Sequence, residues 1–431
     1  MASTSDALHV TPQSRRLLAV LFIVSVSVTF AAAWSFNQRS AGKSLFSLAN
    51  LVGPTTANLL HGGSLTACTE AMGTPGNPIC FHAARMPLAS LVVGLGIGLF
   101  GDHYLRVALF KALLLLLPVE LAIYLVWQRV PPDPLRRLAM ALLLLAPFAM
   151  TPFLACVVNL QVEEGYTYSL LALATAVLLF APKESLTRTL LLALTLDCLY
   201  LTKSAMAPAV AVLLLGYLFM ERRAGLRWLA FLLVLAAPVG WAVYQHHASG
   251  RYSIGTSLDG LNLHKGNNAG FLEHYPPPPG DTLDRFDQDL NRSMYFSDEW
   301  SFNDYHLHTA VDYIRHHRRA TLRGDWRKLN VLLLSVRKVG SSEDRGAALL
   351  WETASLAVFR LMLWAGVIGA LFIAARPGPQ RAVGWIFLVL AAACILPYIA
   401  GFAYTRHASV LIYPAALMCC RTLPQYGQAS P

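Results

Sequence analysis

Ten apolar runs constrain this chain more than any other feature. They cover 17–35, 104–127, 136–158, 165–182, 189–202, 204–220, 226–245, 351–375, 382–401 and 408–420. Backbone placed in hydrocarbon must satisfy its own hydrogen bonds, so runs such as "LFKALLLLLPVELAIYLVW" predict transmembrane helices. Composition agrees: 55% of residues are hydrophobic and 13% charged, and a mean hydropathy of +0.49 excludes a water-soluble domain. The expected fold class is all-α and polytopic, with about ten membrane-spanning helices. An eleventh run, 87–100, is short and glycine-rich and suits a re-entrant or interfacial helix. The first run has the basic start and "AAA" of a cleavable signal, but its apolar part is long enough to span and reads as an uncleaved helix.

Charge sets the parity. With ten crossings and the N-terminus inside, the inner face receives Arg15, Arg16, Arg129, Arg136, Arg137, Lys183, Arg188, Arg222, Arg223, Arg227, Arg376, Arg381 and Arg421. The short outer turns keep only Lys203 and Arg406, as the positive-inside bias requires. Counting 87–100 as a crossing would put Arg129–Arg137 outside. The formal charge of +10 is accounted for by these loops and implies no nucleic acid. Both termini are then cytoplasmic in a multi-pass inner (plasma) membrane protein. Two large segments, 36–103 and 246–350, face outward, dividing the chain into a core at 1–245, a loop domain at 246–350 and terminal helices at 351–431.

Three short turns share the outer face: "VEEG" with Glu163 and Glu164, "LTKSA" with Lys203, and "AYTRHAS" with Arg406 and His407. External loops need polar residues in any case, so one glutamate pair says little. The gathering of ionisable side chains at one membrane edge says more. Seven cysteines are too few for a disulfide scaffold. Cys68 and Cys80 alone share a polar external segment, where oxidising conditions allow a bridge closing "TEAMGTPGNPI" around Glu70.

The segments "ANLLHGGSLTAC" and "ARMPLASLVVGLGIGLFGDHYLRVALFKALL" resemble the first external loop of GT-C type membrane glycosyltransferases. That superfamily includes the protein O-mannosyltransferases and the lipid A aminoarabinose transferases. "EEGYTYSLLALATAVLLF" is similar to its acidic second external loop, "LDCLYLTKSAMAPAVAVLLLGY" to a helical hairpin, and "YTRHASVLIYPAAL" to a late turn. "GLNLHKGNN" and "AVDYIRHHRRATLRGDWRKL" resemble loop segments of small bacterial members. The resemblance spans most of 57–245 and 400–417.

It implies inverting transfer of a sugar from a polyprenyl-phosphate donor, within membrane lipid, to an acceptor on the external face. A carboxylate takes the acceptor proton and cations stabilise the departing phosphate. Lys203 and Arg406, assisted by His407, suit the phosphate. The family's early-loop aspartate has no counterpart, since no Asp or Glu lies between Asp6 and Glu70. Glu164 matches the second-loop acid and is the first candidate base, with Glu70 second. Glu163 completes the set, either as base or holding a base or metal in place.

Other candidates divide between chemistry and structure. In "GLNLHKGNN", Asn262, His264, Lys265, Asn267 and Asn268 supply donors for sugar hydroxyls or phosphate, though a tight turn explains Gly and Asn equally well. Asp304, His308 and Asp312 share helical i, i+4 spacing that suits a divalent metal, but a solvated helix face is the commoner outcome. Asp197, inside an apolar run, reads as a hydrogen-bonded contact to a neighbouring helix. The 246–350 loop splits into an acidic part (281–304) and a basic, amphipathic part (315–338) suited to headgroups. "YPPPPG" reads as a stiff spacer. The rival readings are a transporter or flippase of a lipid-linked or small solute, which the lack of repeats and paired helix breaks disfavours, and a non-catalytic relative that binds a lipid-linked sugar.

Overall fold

The computed structural model describes residues 12–48, 51–74, 77–129, 133–276, 296–337, 347–378 and 380–422. The acidic stretch 281–295, the spacer residues 277–280, Lys338 and the side chain of Glu70 lie outside the described residues.

Every one of the ten apolar runs is helical. The helices are α1 (Pro12–Asn37), α2 (Val52–Gly62), α3 (Leu88–Phe100), α4 (Tyr104–Trp127), α5 (Pro134–Ala149), α6 (Thr151–Val158), α7 (Glu164–Phe180), α8 (Leu186–Thr202), α9 (Ala207–Met220) and α10 (Ala224–Ser249). After them come α11 (Asp259–Lys265), α12 (Phe271–His274), α13 (Glu299–His316), α14 (Arg318–Leu333), α15 (Ala347–Ala375), α16 (Arg381–Ala400), α17 (Thr405–Ala408) and α18 (Ile412–Thr422). A two-stranded hairpin, β1 (Ala67–Thr74) and β2 (Asn77–Phe81), interrupts them. The chain is an all-α polytopic membrane protein.

Fewer helices than the expected ten have the length and apolarity of a simple crossing. Among the described residues, five helices are long and apolar enough to cross: α1, α4, α10, α15 and α16. Helices α5 and α6 add a sixth if counted as one span bent by 58°. Pro147 inside α5 and Pro152 at the start of α6 explain the bend, because proline removes a donor and crowds the preceding turn. Helices α7 and α8, of 17 residues each, rise only about 25 Å against a hydrocarbon core of about 30 Å. Helix α3 is short, as its sequence implies.

Helix α7 is the axis of the bundle. Nearly all its side chains are buried, as expected of a helix apolar on every face, and α4, α8 and α18 pack around it. Leucines such as Leu117 and Leu361 are exposed on the outside of the bundle, as expected of lipid-facing positions. At the C-terminal end of α7 the basic loops converge. The Arg129 guanidinium donates to the Phe180 carbonyl, Arg188 donates to the carbonyl of Leu178 and pairs with buried Glu221, and Arg223 pairs with Glu184. The opposite end of α7 carries Glu164.

The hairpin and helices α11 and α13 cover that opposite end. Cys68 and Cys80 face each other across the hairpin and are disulfide-bonded. Buried Glu299, in the first turn of α13, accepts from the backbone N–H groups of His82 and Ala83, both at 3.0 Å. That carboxylate fastens the outer helices to the loop before α3. At the end of α11 the backbone of Gly266 lies against Gly401, where an added Cβ would fall 1.7 Å from the carbonyl oxygen. No other residue type fits that approach.

Candidate functional site

A cavity of about 520 Å³ opens at the Glu164 end of the bundle. Five stretches line it: 84–86, the α6–α7 turn, the α8–α9 turn, 254–265 and 397–407. The three short turns singled out in the sequence therefore meet in one place.

Glu164 is the hub. Its Oε1 receives Lys203 Nζ at 3.1 Å and Arg406 Nε at 3.3 Å, with His407 Nε2 at 3.5 Å. The carboxylate is 5% exposed and stands in the first turn of α7, where the helix dipole favours negative charge. Burial alone would raise its pKa, but Lys203 and Arg406, with help from His407, outweigh burial and hold it well below the ordinary carboxylate range. For Lys203 and Arg406 burial opposes the charged form, yet Glu164 wins and both are raised. The three groups form a charge clamp, and Glu164 is a poor proton acceptor within it.

His407 is neutral there. Its Nδ1 accepts the backbone N–H of Tyr404 at 3.2 Å, so the ring proton belongs on Nε2, facing Glu164. Burial is the main cause that pushes its pKa down to about 3, against the Glu164 hydrogen bond. Tyr398 stacks on the ring at 4.0 Å.

Glu163 differs from its neighbour. It is 6% exposed and its Oε2 lies 3.6 Å from Arg85 Nη1. Among the described residues its buried Oε1 has no hydrogen-bond partner, and neither has Arg85 Nε. Both residues line the cavity. Orphaned buried polar atoms are uncommon and ask for a ligand or a proton.

The turn carrying this pair is held from three sides. Lys111 of α4, fully buried, donates to the carbonyls of Asn159 and Val162 and lies over the Tyr166 ring. Gly165 follows because α6 abuts it: a Cβ there would fall 2.3 Å from the Cys156 carbonyl oxygen. Tyr168, one turn on, donates to the Arg406 carbonyl at 2.6 Å. The sequence reading missed Lys111, Arg85 and Tyr168. A lysine inside an apolar run was the available signal, since such a charge needs a reason.

The "GLNLHKGNN" residues divide. Asn262 and Lys265 line the cavity. His264 instead meets His306 of α13, Nδ1 to Nδ1 at 2.8 Å. Asn267 donates to the Leu263 and Ala400 carbonyls, and Asn268 to those of His264 and Lys265. These three tie α11 to its surroundings. Asp259, also unforeseen, lines the cavity and caps its own turn by accepting from Thr256 N at 2.8 Å while Ser204 Oγ donates at 3.0 Å.

One sequence reading needs correction. Asp197 Oδ1 has no hydrogen-bond partner among the described residues, so the expected contact to a neighbouring helix is not made there. Asp304 pairs with Arg251 at 2.7 Å and Asp312 with His316 at 3.1 Å, so with His308 they lie on the solvated helix face that the sequence favours. Among the described residues no group of three or more His, Cys, Asp or Glu is placed to hold a metal. Glu70 lies in β1, and Cys68 and Cys80 bracket it.

No protein-family model matches the chain, and no curated protein does. Among solved structures the fold is similar to the crystal structure of ArnT from Cupriavidus metallidurans in the apo state. The identity is 15%, the TM-score 0.38, and the match covers 94% of this chain and 76% of that one. A likeness at that level decides nothing about the cavity.

Proposed function

We propose that the chain is a GT-C type membrane glycosyltransferase that moves a sugar from a polyprenyl-phosphate donor to an acceptor hydroxyl on the external face. The observation that carries this reading is the pairing of opposite chemistries in one cavity. The Lys203–Arg406 cation pair stands beside a second carboxylate, Glu163, with an unpartnered oxygen. The motif resemblance described above supports the same class.

In this reading Glu163, rather than Glu164, takes the proton from the acceptor hydroxyl. The acceptor oxygen forms a bond to the anomeric carbon as the bond from that carbon to the phosphate oxygen breaks, with inversion. Lys203 and Arg406 take up the charge on the departing polyprenyl phosphate. Glu164 is their positioning residue: it keeps two like charges adjacent before the phosphate arrives. Asn262 and Lys265 border the remaining space and suit sugar hydroxyls. Membrane lipid flanks the apolar helices and accommodates the isoprenoid. The basic loops at the far end of α7 face the cytoplasm by the positive-inside bias, as do both termini, and the cavity faces outward from the inner membrane.

Mass spectrometry of envelope glycans from deletion and wild-type cells tests the class. The expected result is loss of one sugar substituent, restored by the wild-type gene but not by Lys203→Ala. Unchanged glycans in the deletion strain would count against it.

A further inference from the structure

Helix α14 has one face that neither the fold nor the proposed chemistry uses. Its exposed positions Arg318, Arg319, Leu322, Arg323 and Trp326 are spaced i, i+1, i+4, i+5 and i+8 along a single stripe, whereas Arg327 at its edge donates to the Leu272 and Tyr275 carbonyls. Leu322 is 68% exposed and Trp326 64%. The opposite positions Gly324, Lys328, Val331 and Leu332 are buried. A water-facing helix has no use for an exposed leucine and tryptophan flanked by three arginines.

The helix also runs at the membrane edge. Lys328 Nζ donates to the Ile399 carbonyl at 2.7 Å, at the end of the apolar helix α16. Just after α14 the chain exposes Leu334 at 58%, and α15 begins at Ala347 with Leu350 and Trp351 exposed at 73% and 56%. Exposed apolar side chains therefore stand both at the end of α14 and at the start of the apolar helix α15. Within α14 the one acidic residue, Asp325, is paired with Lys328, so nothing on the helix neutralises the exposed arginines.

We infer that the Arg318–Arg319–Leu322–Arg323–Trp326 face lies on the bilayer surface and binds the phosphates of anionic lipids. Leu322 and Trp326 enter the interfacial region while the guanidiniums reach the headgroups. The inference stands independently of the glycosyltransferase reading.

The test uses full-length protein in nanodiscs of phosphatidylcholine with and without phosphatidylglycerol. Native mass spectrometry then counts retained lipids. Wild type is expected to retain phosphatidylglycerol preferentially, with about fivefold loss of preference per arginine removed in Arg318→Gln, Arg319→Gln and Arg323→Gln combined. The matching triple lysine substitution, which keeps the charge, is expected to retain it. A second readout subtracts the fluorescence of Trp326→Phe from that of wild type, isolating Trp326. Quenching of that component by lipids brominated near the headgroup supports the placement. Quenching by aqueous iodide instead would overturn it, and so would an unchanged phosphatidylglycerol preference in the triple glutamine variant. Iodide access in nanodiscs together with shielding in native membranes would assign the face to a protein partner and equally overturn it.

Discussion

Glu164→Gln distinguishes a charge clamp from a catalytic base. The substitution keeps the shape of the side chain and one acceptor oxygen but removes the charge that holds Lys203 at 3.1 Å and Arg406 at 3.3 Å. Removing one partner of a fully buried ion pair costs ~3–5 kcal/mol, mostly from the charge left behind. Here the side chains of Lys203 and Arg406 keep 18% and 35% of their surface open, and glutamine still accepts a hydrogen bond. The expected loss of stability is therefore about 1–3 kcal/mol. A bound phosphate would replace the missing charge, and each ~1.4 kcal/mol of relieved repulsion is tenfold in affinity. The assay is thermal melting of the solubilised protein with and without polyprenyl phosphate. The variant is expected to melt lower than wild type when free, and to gain more than wild type from the ligand. A variant as stable as wild type, with the same gain, would refute the clamp.

Lys111→Met should leave the Asn159 and Val162 carbonyls without their buried donor, at ~1–3 kcal/mol; it is expected to lower turnover while donor binding persists, measured as separate constants. Gly165→Ala places a methyl 2.3 Å from the Cys156 carbonyl oxygen, and overpacking of that kind typically costs ~1–3 kcal/mol, read as a lowered melting temperature. His407, held neutral down to about pH 3 chiefly by burial, takes up a proton in the unfolded chain near pH 6.5. Because its folded pKa is depressed, the stability it contributes is present above pH 6.5 and is lost as pH falls towards 3. Melting between pH 7 and 4 should therefore fall more steeply for wild type than for His407→Asn. Thiol labelling of the unreduced protein should leave both Cys68 and Cys80 untagged, since they are bonded to each other.

Helical content and the meeting of the short turns followed from local pattern, because apolar runs and charge parity act over lengths that a sequence displays. The lengths of the helices did not follow. The run 165–182 read as a span, yet its helix α7 has 17 residues buried on nearly every side, so its length is a matter of packing rather than of bilayer thickness. At the site, Glu163 and Glu164 are adjacent in the chain and identical in type, and nothing local separates them. Their difference is tertiary: Arg406 lies 242 positions from Glu164, whereas Arg85 approaches Glu163 from the loop before α3. His264 read as a sugar contact because its partner, His306, lies on another helix 42 positions away.

The central claim is that Glu163 takes the acceptor proton while Glu164 holds the phosphate-binding cations. Single-turnover transfer in native membranes charged with labelled lipid-linked sugar, set beside donor binding, tests it most directly. Glu163→Gln is expected to bind donor as wild type does and to transfer ~10²–10⁴-fold more slowly, the usual loss of a positioned general base. Near-wild-type transfer by Glu163→Gln would contradict the account.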